Sequence, residues 1–217
     1  MNFERNGIYH IYNQGNNRQK IFFSRENYLF FVDKLCNHIV PFGNLLAWCL
    51  MPNHFHLMVE VERLYAVIDS RGATQSRTPT IYDPDNKPIS FNHSIGIMLA
   101  SYTRAINKQE NRTGSLFRQK TKAICLNETS RVAHNWFTSS GATMINIEKW
   151  ELQYPQQCFN YIHSNPIKVG LVTKAEDWEF SSLGGYMGKR ECVFGNLKRA
   201  NELGLTVQLF SESHGLT

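Results

Sequence analysis

An α+β fold, an antiparallel sheet carrying two helices on one face, is what this 217-residue sequence predicts, and three observations predict it. Four segments read as strands, two segments place apolar residues at helical spacing, and together they run in the order β, α, β, β, α, β. That order is the ferredoxin-like or split βαβ arrangement, shared with RNA-recognition domains, in which one sheet face is covered by helices and the other is available.

The first strand is read in Gly7 to Asn13, where Ile8, His10 and Tyr12 alternate with Tyr9, Ile11 and Asn13. A polar loop, QGNNRQK, follows. Ser24 then offers a helix N-cap, and Tyr28, Phe31, Val32, Leu35 and Ile39 recur at helical spacing up to Pro41 and Gly43. Leu45 to Leu50 and His54 to Val61 form a hairpin about Met51-Pro52-Asn53. Residues 62–91 hold four prolines or glycines (Gly72, Pro79, Pro84, Pro88) with little periodicity and read as an insertion. The second helix is predicted from about Asn92 to Gln109, with Ile95, Met98, Leu99, Tyr102 and Ile106 on one face. Leu116 to Leu126 alternates again, with Arg118, Lys120 and Lys122 on one side. The pattern dissolves over residues 127–154, a helix is expected to open at Pro155, and an irregular tail ends in a helix near Asn196 to Leu203.

Composition narrows the function classes. Lys and Arg number 23 against 18 Asp and Glu, a formal charge of +5 that favours an anionic partner without identifying it. Five scattered cysteines with no C-x-x-C pair argue against a disulfide framework and a thiolate zinc site. With no apolar run of membrane-spanning length and no signal-peptide pattern at MNFERNGIYH, the expectation is a soluble, cytoplasmic protein with no membrane partner.

The chemistry-bearing stretch is LMPNHFHLMVEV. Side chains alternate across a strand, so His54, His56, Met58 and Glu60 share one face while Phe55, Leu57, Val59 and Val61 share the other. Two neighbouring imidazoles on an open sheet face can chelate one divalent cation; they can equally be partly solvated histidines of a half-exposed strand. Asn16, Asn17, Arg18 and Gln19 form a donor-rich loop suited to phosphates and base edges, or an ordinary solvated turn. Arg118, Lys120 and Lys122 can track a phosphate backbone or simply charge the wet side of an edge strand, and Arg104, Lys108 and Arg112 are similarly ambiguous.

His-Phe-His after Met-Pro-Asn on a strand, together with YIHSNPIKVGLV from Tyr161 to Val172, resembles the single-tyrosine HUH transposases, especially the REP-associated tyrosine transposase branch. NQGNNRQKIFF, SYTRAINKQENRTGSLFRQK and DWEFSS fall in the order of that branch too, so the resemblance covers about three quarters of the chain. It implies a catalytic domain over residues 1–172, interrupted by irregular insertions at about 62–91 and 127–154, with a tail over 173–217 packing on it and a tyrosine helix on the second sheet face. It further implies cleavage of single-stranded or hairpin DNA through a 5′-phosphotyrosine link, a Mg²⁺ or Mn²⁺ cofactor, and a monomer or homodimer.

Residue by residue, the resemblance makes Tyr161 the nucleophile and His54 and His56 the metal ligands. Tyr154, seven residues earlier on the same helical face, is the internal competitor. Asn165, four residues after Tyr161, is either a third ligand supplying an oxygen or, with Pro166, the cap of a short further helix. Related transposases often have Gln there. His163 is expected at the surface or facing DNA. Two rival functions remain: a non-cleaving hairpin-DNA-binding regulator of the same fold, against which intact His54, His56 and Tyr161 argue, and a metal-dependent hydrolase whose nucleophile is water. The tail's aromatics, Trp178, Phe180, Tyr186 and Phe194, would either restrain the tyrosine helix or complete the core.

Overall fold

The computed structural model of the protein describes residues 1–68, 87–127, 137–139, 142–144, 150–191 and 195–208. Its elements are β1 (Ile8–Gln14), α1 (Arg25–His38), β2 (Gly43–Met51), β3 (His54–Val61), β4 (Tyr65–Ala66), β5 (Ile89–Ser90), α2 (Phe91–Gln109), β6 (Lys122–Cys125), β7 (Phe137–Ser139), β8 (Ala142–Met144), α3 (Trp150–Lys168), α4 (Leu183–Tyr186) and α5 (Leu197–Glu202). Four of the strands make one sheet in the order β2-β3-β1-β6, every pairing antiparallel, which is the split arrangement the sequence predicts.

The alternation of β3 decides what lies on each face. Phe55, Leu57, Val59 and Val61 join Tyr9 and Ile11 of β1 in a core closed by Phe31 and Leu35 of α1 and Ile95, Met98, Tyr102 and Ile106 of α2. Phe31 is central, with its ring 5.2 Å from Phe55 and 4.9 Å from Tyr102. Burying each such side chain contributes about 1.5–3 kcal/mol, and the Tyr102 hydroxyl avoids an unpaired polar group by donating to the Ile21 carbonyl at 2.8 Å. At the start of α1 the Asn27 carboxamide oxygen accepts from the backbone N–H groups of Phe23 and Ser24, tying down the helix entry.

On the opposite face α3 lies across the sheet. Phe159 and Ile162 pack on Ala47, Cys49 and Met51 of β2 and Met58 of β3, so part of that face is a second core. The tail completes it. Residues 178–182 run along β2, with Leu50 N–H donating to the Phe180 carbonyl at 2.8 Å and Ser182 N–H to the Trp48 carbonyl at 2.9 Å, which covers what would otherwise be an open sheet edge. Phe180 stacks on Tyr28 with centroids 4.0 Å apart, and Tyr186 sits 5.0 Å from Phe159. Asn196 caps α5, whose Arg199 forks onto the buried Glu60 carboxylate at 2.6 and 2.8 Å. The described residues of the tail therefore pack as core, partly against the helix that bears Tyr161; Phe194 lies outside the described residues.

Several expectations are corrected. The last sheet strand is only Lys122–Cys125: before it the Asn13 carboxamide donates to the Arg118 carbonyl (3.1 Å) and the Thr121 hydroxyl (2.9 Å), bridging a break in the ladder beyond which the Arg118 N–H again donates to the Gln14 carbonyl at 2.9 Å. Helix α3 begins at Trp150, inside the expected insertion over 127–154, and passes through Pro155. Pro155 is tolerated in the second turn because only one carbonyl near the helix start loses its partner. The same insertion holds the β7–β8 hairpin, and the one over 62–91 is closed at its base by β4 and β5. His163 is not at the surface: it is 1% exposed, with Nε2 2.8 Å from the Ser182 hydroxyl, since the tail covers that side of α3. Of the thiols described, Cys49 and Cys158 are buried, Cys36 and Cys125 half-buried, and all four are free. Among the described residues no helix is long and apolar enough to cross a membrane.

Candidate active site

Register places β1 beside the two histidines: Tyr12 faces His56 and Gln14 faces His54, while His10 faces Met58. His10, Tyr12, His54 and His56 therefore share the face that α3 crosses. The His54 and His56 rings lie 5.0 Å apart, so the paired orientation read from the alternation is present. A third imidazole joins them: His10 Nε2 and His56 Nδ1 are 2.9 Å apart and buried. Burial pushes His10 down to about 4; burial, with the His10 and His54 rings adding to it, pushes His56 down to about 2, and burial lowers His54 as well. All three are thus neutral at neutral pH, the form in which an imidazole nitrogen can ligate a metal.

The other contacts of these rings sort their nitrogens. His54 Nδ1 donates to the Asn53 carboxamide oxygen at 2.6 Å, and the Asn53 amide in turn donates to the Arg18 carbonyl at 3.3 Å. His56 Nε2, by contrast, is buried with no hydrogen-bond partner, an expensive arrangement for a polar atom in a 5% exposed residue unless something else binds it. That orphaned nitrogen fits a divalent cation. Among the described residues no group of three or more His, Cys, Asp and Glu side chains is placed to hold a metal, so two imidazoles would need further oxygen donors.

Helix α3 brings Tyr161 to this face. Its ring centroid is 5.3 Å from that of His56 and 6.1 Å from that of His10, both edge-on, and the residue is 41% exposed. Lys168, two turns further along α3, holds its ammonium 4.9 Å from the Tyr161 ring centroid. Tyr154 is 47% exposed and shares no ring contact with the histidines among the described residues. Asn165 is buried one turn beyond Tyr161, its amide donating to the Tyr161 carbonyl at 2.8 Å. The helix runs unbroken through Asn165-Pro166 and ends near Gly170, whose φ of +70° suits glycine, so Asn165 caps no separate helix.

The residues expected to meet DNA divide. Asn16, Asn17 and Arg18 are exposed at the His54 end of the sheet, with Asn17 and Arg18 at positive φ. Gln19 is engaged internally: its amide donates to the Leu116 carbonyl at 3.1 Å and its oxygen accepts from Arg112 at 2.8 Å. Lys122 lies on the histidine face at the β6 edge, its ammonium 5.9 Å from the Tyr12 ring centroid, whereas Arg118 and Lys120 are exposed in the segment before β6. Sequence reasoning passed over His10, Asn53 and Lys168. His10 was visible as a same-face neighbour of Tyr12, and the predicted fold already sets the first strand beside the third.

These features define a ferredoxin-like α+β domain whose second face joins strand histidines to a helix tyrosine. No family model matches the chain, and no curated protein matches it. Its fold is shared with the solved structure of a REP-associated tyrosine transposase bound to a REP hairpin, with a TM-score of 0.51 and 13% identity over 90% of this chain and 94% of that one. At that identity the likeness is one of fold, and it agrees with the resemblance carried by the sequence motifs.

Proposed function

We propose that this protein is a metal-dependent enzyme that nicks and rejoins single-stranded DNA at hairpins, a transposase of the REP-associated tyrosine type, with Tyr161 as its nucleophile. The observation that carries this reading is the meeting of an exposed Tyr161 with the buried imidazoles of His56 and His10. The hairpin bound in the transposase of like fold supports the choice of partner.

In the proposed reaction the Tyr161 oxygen attacks a backbone phosphorus. The Tyr–O–P bond forms as the bond from phosphorus to the 3′ oxygen breaks, leaving a 5′-phosphotyrosine and a 3′-hydroxyl. The phenol loses one proton and the 3′ oxygen gains one, so attack by a 3′-hydroxyl can reverse the step without an outside energy source. His54 and His56, with Asn165 as third ligand, would hold Mg²⁺ or Mn²⁺. When bound, that cation supplies Lewis-acid polarisation and charge neutralisation at the scissile phosphate. Two imidazole donors favour Mn²⁺ over Mg²⁺. Tyr161 is presented from a helix whose other side is packed in core, which fixes its approach. The Lys168 ammonium over its ring adds positive charge where the phosphate would sit. Asn16, Asn17, Arg18, Arg118, Lys120 and Lys122 supply exposed donors for the strand around the cut.

The test is a labelled hairpin oligonucleotide incubated with the protein and Mn²⁺, then run on a denaturing gel with peptide mapping of any adduct. A covalent adduct at Tyr161 supports the proposal. Cleavage without an adduct would favour the water-using hydrolase, and binding without cleavage the regulator.

A further inference from the structure

We propose that His10 is a positioning residue: by accepting a hydrogen bond from His56 Nδ1, it selects the tautomer that presents the His56 Nε2 lone pair to a cation, as Asn53 does for His54. The inference rests on the metal reading above and deepens it. A neutral imidazole carries one N–H, so the proton shared between His10 Nε2 and His56 Nδ1, 2.9 Å apart, decides what His56 Nε2 is. If His10 donates, His56 Nε2 must carry a hydrogen, and that donor is buried without a partner. If His56 donates, Nε2 is a bare lone pair, free to bind a cation, in a ring that meets Tyr161 edge-on with centroids 5.3 Å apart. His54 is arranged in parallel, because Asn53 spends its amide on the Arg18 carbonyl and so turns its oxygen toward His54 Nδ1. Each strand imidazole thus has its Nδ1 engaged by a neighbour. Partners of this kind orient metal-binding histidines and raise their basicity. His10 is itself held, stacked on Tyr12 with centroids 4.7 Å apart.

The experiment is Mn²⁺ titration of the full-length protein without DNA, followed by electron paramagnetic resonance, on wild type, His56→Ala, His10→Leu, His10→Gln and His10→Asn. His10→Leu, which removes the acceptor, is expected to bind Mn²⁺ roughly 10- to 100-fold more weakly. His10→Gln, which can return an acceptor near the Nε2 position, should recover most of that loss, and His10→Asn, whose amide stops near Nδ1, should not. Should the leucine variant fail to fold, the Gln and Asn pair decides alone. Mn²⁺ uptake lost in His56→Ala but unchanged in His10→Leu and His10→Asn overturns the role of His10 and leaves the chelate standing. Wild type that takes up no Mn²⁺, or His56→Ala that binds like wild type, overturns the metal reading and this inference with it.

Discussion

The ring of Tyr161 stands edge-on to that of His56, with centroids 5.3 Å apart and planes at 77°. The contact joins α3 to the first half of β3 across the second sheet face, and it sets the tyrosine beside the buried imidazoles without burying its hydroxyl-bearing side chain. Tyr161→Phe keeps the ring and removes the oxygen. The expected outcome is loss of the covalent DNA adduct with hairpin affinity nearly unchanged, since phosphate contacts dominate binding. Tyr154→Phe should form the adduct at the wild-type rate. The reverse pattern would move the nucleophile to Tyr154.

Removing either strand imidazole should act on chemistry more than on binding. His54→Ala and His56→Ala are each expected to slow cleavage by at least ~100-fold while hairpin affinity in a filter-binding titration changes little. Chelator should reproduce both losses in the wild type. Full metal-dependent cleavage in either variant would sink the chelate.

What the sequence made legible was whatever local periodicity controls. HFHLMVEV shows its two faces at a spacing of two, and α1 and α2 show theirs at helical spacing, so the sheet, its helix pair and the paired histidines follow from the residues. Relations set by tertiary packing were not legible. His10 could be reached only through the predicted strand order, which sets β1 beside β3, and no local pattern marks its bond to His56. Asn13 reads as the end of a strand, yet its carboxamide bridges a break in the ladder before β6, reaching the Arg118 carbonyl and the Thr121 hydroxyl. His163 looks like a surface residue of a polar helix, because nothing local announces that Ser182 and Tyr186 will cover it.

Acid should destabilise the fold through its buried histidines, and His38, away from the candidate site, gives a share that can be isolated. Burial, with Lys34 adding to it, pushes this residue down to about 4, and its ring lies 3.3 Å from the Ser94 hydroxyl. A lowered pKa in a base means the folded state resists the proton that the unfolded chain accepts. Stability is therefore unaffected above the ordinary value of 6.5 and falls as pH drops from there toward 4. At pH 5 the share of the loss that comes from His38 should be about 1–2 kcal/mol, with one pKa unit corresponding to about 1.4 kcal/mol. Urea melts at pH 7 and pH 5 should show a smaller pH effect in His38→Gln than in wild type. Equal effects in the two proteins would remove His38 as the cause.

Truncation after residue 172 asks what the tail does. It would uncover the β2 edge, strip Phe180 from Tyr28 and Tyr186 from Phe159, and remove Arg199 from the buried Glu60 carboxylate. Losing the buried Phe180 side chain alone costs about 1.5–3 kcal/mol, a large share of the 5–15 kcal/mol that holds a typical domain together, and the half-buried Tyr186 adds to it. The unpaired edge and the stranded carboxylate add to it. The expected product is insoluble or lacks near-ultraviolet circular dichroism. Phe180→Ala gives the milder version: a melting temperature lowered by about 6–20 °C, since such a truncation costs about 3–5 kcal/mol, with adduct formation per folded molecule near wild type at low temperature. A shortened chain that melts like the full protein but cleaves hairpins at a different rate would show instead that the tail regulates the tyrosine helix and adds little to the core.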